Sequence, residues 1–266
     1  VAWYENQGGG NFAARRTISA QVQYLQDVTA ADLDGDGFQD VISVSDVPSL
    51  DGGNTLEWYR NLGAGQFSAP LGIATGALGL SCVYAADLDL DGDPDVLTSS
   101  EDDDTIAWHE NLGGGIFGAQ QVISNGTLSA KCVYAEDLDG DGDLDVLSAA
   151  SQSNTVEWYE NLGGGVFGPG NAITTNTLST RSVYASDLDG DGDADVLSAN
   201  GTSPMVTWYE NIGGGNFGPK QVLMTGSYAS DVYATDLDGD GDPDVISANN
   251  STSGVAWSQN MGGGIF

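Results

Sequence analysis

The chain has 266 residues, 40% of them apolar, and carries a formal net charge of −33 from 39 acidic against six basic residues. So few Lys and Arg, gathered in no patch, exclude nucleic acid and anionic membrane as partners, and no apolar run reaches the length needed for direct membrane insertion. The absence of a signal peptide and a start at Val1 in mid-pattern lead us to expect a mature or excised piece rather than a complete reading frame.

One period of about 50 residues runs from end to end. Its phase is set by Trp3, Trp58, Trp108, Trp158, Trp208 and Trp257, which are 55, 50, 50, 50 and 49 residues apart, so only the first interval carries an insertion, at Pro48 to Gly53. Between successive tryptophans lies a nine-residue run of alternating carboxylates, at 32–40, 87–95, 137–145, 187–195 and 236–244.

In chain order, the Trp3 segment and a strand from Phe12 to Ser19 come first. The first run then offers Asp32, Asp34, Asp36 and Asp40, with Phe38 at position 7. The second offers Asp87, Asp89, Asp91, Asp93 and Asp95, with Leu90 where the others have glycine. A bulky residue there resists positive φ, so this loop is expected to be the weaker one. The third holds Asp137, Asp139, Asp141, Asp143 and Asp145, the fourth Asp187, Asp189, Asp191, Asp193 and Asp195, and the fifth Asp236, Asp238, Asp240, Asp242 and Asp244. Side chains at positions 1, 3, 5 and 9, the carbonyl of position 7 and a turn-permitting glycine at position 6 describe a loop for a hard cation with oxygen ligands, hence Ca²⁺, about five ions at one per loop. No His or Cys lies in any run, which argues against zinc and softer metals. The EF-hand requires Glu at position 12, where this chain has Ser43, Thr98, Ser148, Ser198 and Ser247, and it requires helices where the flanks here are β-branched and aromatic. The competing reading is an acidic turn that binds nothing; carboxylates crowded together five times over weigh against it. With five ions bound the charge of −33 would fall to about −23. Because each loop draws its ligands from one hairpin, the sites are expected to act independently.

Each period resolves into four short strands. In one copy Ser182 to Ala185 leads into the loop, Asp195 to Ala199 leads out, Val206 to Glu210 holds the tryptophan, and Phe217 to Leu223 follows a Gly-Gly-Gly turn. Apolar positions on both faces describe a blade covered on either side by another blade. The expectation is therefore an all-β, single-domain β-propeller over 1–266, with four-stranded antiparallel blades. The Trp motif supplies six third strands against five of each other kind. We expect five blades, closed by pairing the Phe12 to Ser19 strand with the blade of Val232 to Gln259; the spare strand would pair with a neighbouring copy or mark a longer array.

The D-x-D-G-D-G-x-x-D loops, the D-V-[LI]-S strand after them, and segments such as Asn111 to Gly118 resemble the FG-GAP/VCBS repeat family over essentially the whole chain. The resemblance implies an integrin-like calcium-binding propeller, with the calcium loops between the first and second strands of each blade. It also implies a secreted or cell-surface location and work in adhesion or glycan binding. The reading that follows is a non-catalytic, calcium-stabilised extracellular binding or adhesion module for a protein or glycan ligand, including lectin-like recognition. The alternative is a structural repeat unit of a larger cell-surface assembly or filament, with self-association.

The repeated tryptophans read as inter-blade core in preference to a ring of sugar-stacking surfaces. Recognition is expected on the loops that vary between repeats: Asp46 to Asn54, the acidic Glu101 to Asp104, Ser151 to Asn154 and Asn200 to Pro204. The sole histidine, His109, stands in a Trp motif with no nucleophile pattern beside it, and no enzyme is expected. Cys82 and Cys132 occupy equivalent positions and are expected to be buried free thiols, and sequons stand at Asn125, Asn200, Asn249 and Asn250.

Overall fold

Alternating apolar residues and turns of Asp-Gly and Gly-Gly-Gly fold each period into an antiparallel meander. The computed structural model describes residues 1–20, 22–46, 54–73, 76–202, 205–226, 228–250 and 254–266, and its regular structure there is entirely β. Two small two-stranded sheets come first, the hairpin of β2 (Asn6–Gly8) and β3 (Asn11–Phe12) nested between the paired strands β1 (Ala2–Trp3) and β4 (Arg16–Thr17). The first blade is β5 (Leu25–Ala31), β6 (Asp40–Ser45), β7 (Thr55–Tyr59) and β8 (Leu71–Gly72), and the second β9 (Leu80–Ala86), β10 (Asp95–Ser100), β11 (Thr105–His109) and β12 (Gln121–Ser124). The third is β13 (Ala130–Glu136), β14 (Asp145–Ala150), β15 (Thr155–Tyr159) and β16 (Asn171–Thr174), and the fourth β17 (Thr180–Ser186), β18 (Asp195–Asn200), β19 (Val206–Tyr209) and β20 (Gln221–Met224). The fifth is β21 (Ala229–Thr235), β22 (Asp244–Asn249) and β23 (Gly254–Ser258).

Each blade runs in sequence order across its sheet, and the five are arranged as a β-propeller. First strands lie side by side, β5 against β9, β9 against β13, β13 against β17 and β17 against β21. Along that inner line the rings of Tyr84, Tyr134, Tyr184 and Tyr233 stack in succession, with centroids 4.7, 4.8 and 4.6 Å apart. Second strands such as β10, β14 and β18 are buried at every residue, as the two-sided apolar pattern requires. Cores form between neighbouring blades rather than within one: Leu88, Leu97 and Trp108 of the second blade cluster with Val133, Val146 and Tyr159 of the third.

All the tryptophans but Trp257 make contacts of this kind. Trp58 lies edge-on to Phe117 of the next blade, with centroids 6.5 Å apart, and covers Gly115 so closely that an added Cβ would sit 2.6 Å from the ring. The same lock joins Trp108 to Phe167, Trp208 to Phe266, and Trp3 to Phe67. Trp58, Trp108, Trp158 and Trp208 are buried, whereas Trp257 is 51% exposed.

The expected pairing of the terminal strands does not form. Residues Arg16–Thr17, within the predicted strand from Phe12 to Ser19, pair with Ala2–Trp3, and β23 pairs with β22 alone among the described residues. The reason is local. Trp3 opposes Arg16 in the register by which Trp58 opposes Leu71 and Trp108 opposes Gln121, so the N-terminal Trp strand keeps its own fourth strand. A short loop closes at less entropic cost than a union of chain ends. This accounts for the surplus third strand and leaves Val255, Trp257 and Tyr233 on an open face of the fifth blade.

Cys82 and Cys132 are free thiols in adjacent blades, their sulfurs 3.7 Å apart. Cys82 is buried and Cys132 half-buried; their mutual hydrogen bond, followed by burial, raises the Cys82 thiol pKa well above its ordinary value. Of the sequons, Asn200 is buried in the folded chain and Asn125 is exposed.

Candidate metal centres

Each carboxylate run forms the loop between the first and second strands of its blade, as between β13 and β14. The aspartate side chains satisfy the loop's own backbone. Asp137 accepts the N–H groups of Gly140 and Gly142 at 2.8 and 3.0 Å, Asp139 that of Asp141 at 3.2 Å, and Asp141 that of Asp143 at 3.0 Å. Turns of this kind fold the loop back on itself and bring alternate side chains to one side. The glycines at positions 4 and 6 hold positive φ, +81° at Gly140 and +98° at Gly142. Leu90 adopts the same conformation at φ +62°, so the second loop keeps its shape despite the residue expected to resist it.

The position-9 aspartate anchors the loop. Asp145 is wholly buried and accepts N–H from Leu138 at 3.0 Å and from Asn161 at 2.8 Å. Burial outweighs these two donors and pushes its pKa up to about 7; Asp95 and Asp195 are raised to about 7 in the same way. Buried carboxyl groups of raised pKa call for either a proton or a cation.

Carboxylate oxygens from positions 1, 3 and 9 lie within 4.8 Å of one another in four loops: Asp87, Asp89 and Asp95; Asp137, Asp139 and Asp145; Asp187, Asp189 and Asp195; Asp236, Asp238 and Asp244. In the first loop the cluster is Asp32, Asp34 and Asp36, without Asp40. The position-5 side chains Asp91, Asp141, Asp191 and Asp240 stand outside these clusters, each accepting the N–H two residues on. A donor set of carboxylate oxygens alone, three to a site, suits a hard divalent cation and would neutralise charge that otherwise repels.

Two sets of residues around the loops had no role assigned from sequence. The asparagine three residues after Trp108, Trp158, Trp208 and Trp257 ties neighbouring loops together. The side-chain amide of Asn161 donates to Leu88 of the preceding loop at 2.7 Å, and Asn111, Asn211 and Asn260 donate likewise to Leu33, Leu138 and Leu188. The recurrence of Asn after Trp was the available signal; its partner, more than 70 residues away, was not. The residue before each asparagine also faces the metal loop: the charges of Glu110, Glu160 and Glu210 add to the burial that raises Asp89, Asp139 and Asp189.

His109 is fully buried, and burial lowers its pKa to about 4. The loop from Glu101 to Asp104, one of those where recognition is expected, is tied down: Glu101 pairs with Lys131 and accepts from Ser129 at 3.1 Å, while Asp104 accepts the Ser129 N–H at 2.7 Å. Of the insertion loop from Asp46 to Asn54, residues 47–53 lie outside the described residues, as do 203 and 204 of the Asn200 to Pro204 loop. Among the described residues no helix is long and apolar enough to cross a membrane.

The sequence matches no curated protein. Among solved structures, a lectin of Agrocybe aegerita, described for specific recognition of non-reducing terminal N-acetylglucosamine, is similar with a TM-score of 0.67 at 20% identity, over 99% of this chain and 72% of that one. A protein from Desulfotomaculum acetoxidans is similar with a TM-score of 0.59 at 15% identity, over 97% and 75% of the two chains. The V. cholerae biofilm matrix protein Bap1 is similar with a TM-score of 0.52 at 22% identity, over 88% of this chain and 37% of that one. At these identities the likeness is one of fold. The family model for the FG-GAP-like repeat matches residues 1–43, 39–98, 87–148, 137–198 and 187–247, and the chain belongs to that repeat family.

Proposed function

We propose that the protein is a non-catalytic, calcium-stabilised extracellular binding module whose ligand is a glycan. The observation that carries this reading is a polar cleft of about 490 Å³ between the third and fourth blades. Asp139, Glu160, Asn171 and Asn216 line it beside Trp158 and Phe217. Carboxylates and side-chain amides are the groups that hold sugar hydroxyls, and the buried Trp158 ring, covered by Gly215, keeps its place in the seam between the blades. The lectin of similar fold adds support. Calcium would be held by the position-1, -3 and -9 aspartates of the loops and would supply charge neutralisation, fixing the hairpins that shape the cleft. A secreted or cell-surface location is supported by the FG-GAP-like repeats.

A glycan array probed in calcium tests the reading. The expected result is binding to a defined terminal sugar that weakens tenfold or more in Glu160→Gln and Asn216→Ala, and silence across the array would overturn it. A structural unit of a larger surface assembly is the second reading, favoured by the open apolar face of Val255, Trp257 and Tyr233. Ordered self-assembly without sugar binding would establish that alternative.

A further inference from the structure

One residue sets the first metal loop apart from the others. Where the second, third and fourth blades have Glu110, Glu160 and Glu210 after the Trp motif, and the fifth has Gln259, the first has Arg60. Its guanidinium forms ion pairs with Asp34 and, at 3.1 Å, with Asp36. In the other loops the position-3 aspartate accepts a backbone N–H, at Asp89, Asp139, Asp189 and Asp238. Asp34 accepts none: its side chain is 4% exposed, both of its oxygens lack a hydrogen bond, and Oδ2 pairs with the arginine. The cluster is also rearranged, gathering positions 1, 3 and 5 in place of 1, 3 and 9. Charge follows the same division. The first loop with Arg60 carries four aspartates and one cation, a formal −3, whereas the third with Glu160 carries five aspartates and a glutamate, a formal −6.

Calcium affinity in such loops rises with the number of ligand charges, and a guanidinium paired with the same carboxylates repels a divalent ion and competes with it for their oxygens. A planar, permanently charged guanidinium can itself bridge two carboxylates. We propose that Arg60 occupies, in the first blade, the place a calcium ion takes in the other four, so that this hairpin is held by an internal cation and the protein binds four ions across its five loops. The inference rests on the calcium reading above.

The experiment counts ions. Chelator-stripped protein is titrated with calcium chloride by calorimetry, and the stoichiometry is checked by native mass spectrometry. Four ions are expected for the wild type, five for Arg60→Glu and three for Glu160→Arg. A wild type with five ions, or a Glu160→Arg protein that binds as many as the wild type, would overturn the inference while leaving the calcium reading intact. No ion bound by any of the three would overturn the calcium reading, and the inference with it. Glu160→Arg keeps the test decisive if Arg60→Glu does not fold. It also has a second readout: its melting temperature in EDTA should exceed that of the wild type by several degrees.

Discussion

Asn161 of the third blade donates its side-chain amide to the carbonyl of Leu88 in the second, at 2.7 Å, while Asp145 of its own loop holds its backbone N–H at 2.8 Å. Leu88 is position 2 of the second metal loop, and Asp145 is position 9 of the third. A single buried side chain therefore braces two candidate calcium sites at once, and the independence expected from single-hairpin ligand sets does not follow from this geometry. Asn161→Ala removes donors to two carbonyls, those of Leu88 and Leu144. Leaving buried acceptors unmade should cost about 2 kcal/mol, and calcium should bind more weakly at both loops. Calorimetric titration of the variant checks this; weakening confined to one loop would count against the brace.

The seat of each tryptophan predicts a contrast between adjacent glycines. Gly115 has φ +74° and a Cβ there would meet the Trp58 ring at 2.6 Å, whereas Gly114 has φ +65° and open space. Gly114→Ala should cost about 1 kcal/mol from backbone conformation alone. Gly115→Ala adds a clash with a packed ring and should cost roughly 3 kcal/mol. Urea unfolding separates the two, and equal losses would show that the ring adapts freely.

His109 gives a pH dependence of known sign. Its pKa is lowered to about 4 by burial, against about 6.5 in an unfolded chain. Between these values the unfolded state binds the proton and the folded state does not, so the contribution of His109 falls as pH drops through 6.5 and levels off below 4. At pH 5 that loss is about 2 kcal/mol relative to pH 7. His109→Tyr, which restores the residue found at Tyr59 and Tyr159, removes the titration. Denaturation of both proteins at pH 7 and pH 5 should show the variant gaining on the wild type by that amount, and parallel pH curves would refute the assignment.

Calcium removal should act on the fold itself. Each loop concentrates carboxylates at the mouth of a hairpin, and stripping the ions leaves that repulsion unscreened. Scanning calorimetry with and without EDTA should show a fall in melting temperature on the order of tens of degrees. An unchanged transition would mean that the loops are braced by hydrogen bonds and protons alone.

Repetition makes much of the fold readable in the sequence. The 50-residue interval located the blades, strict alternation placed Val146 and Leu147 on opposite buried faces, and the recurrent Trp before a glycine turn marked the seam between blades. The carboxylate clusters of the loops were legible because their members lie within nine residues of one another. Features that depend on distant partners were not: the amide of Asn161 reaches across 73 residues, and Arg60 meets Asp36 across 24. Closure was misjudged at the ends because counting strands ignores which hairpin forms locally, and the register of Trp3 against Arg16 decided it. Leu90 shows the limit of a steric rule: the surrounding loop, with Asp87 accepting the N–H groups of Asp91 and Gly92, holds one unfavourable residue at positive φ.

The Trp-to-glycine lock has a direction, from each blade to its successor, and the same two aromatic partners recur from Trp3–Phe67 to Trp208–Phe266. A duplication or deletion of one whole 50-residue unit would therefore leave every remaining seam with both of its halves and demand no compensating change. Substitution at a seam, by contrast, breaks a contact that no other repeat can supply. In such a lineage blade number can drift while seam chemistry stays fixed, and the variable loops are carried along as interchangeable passengers.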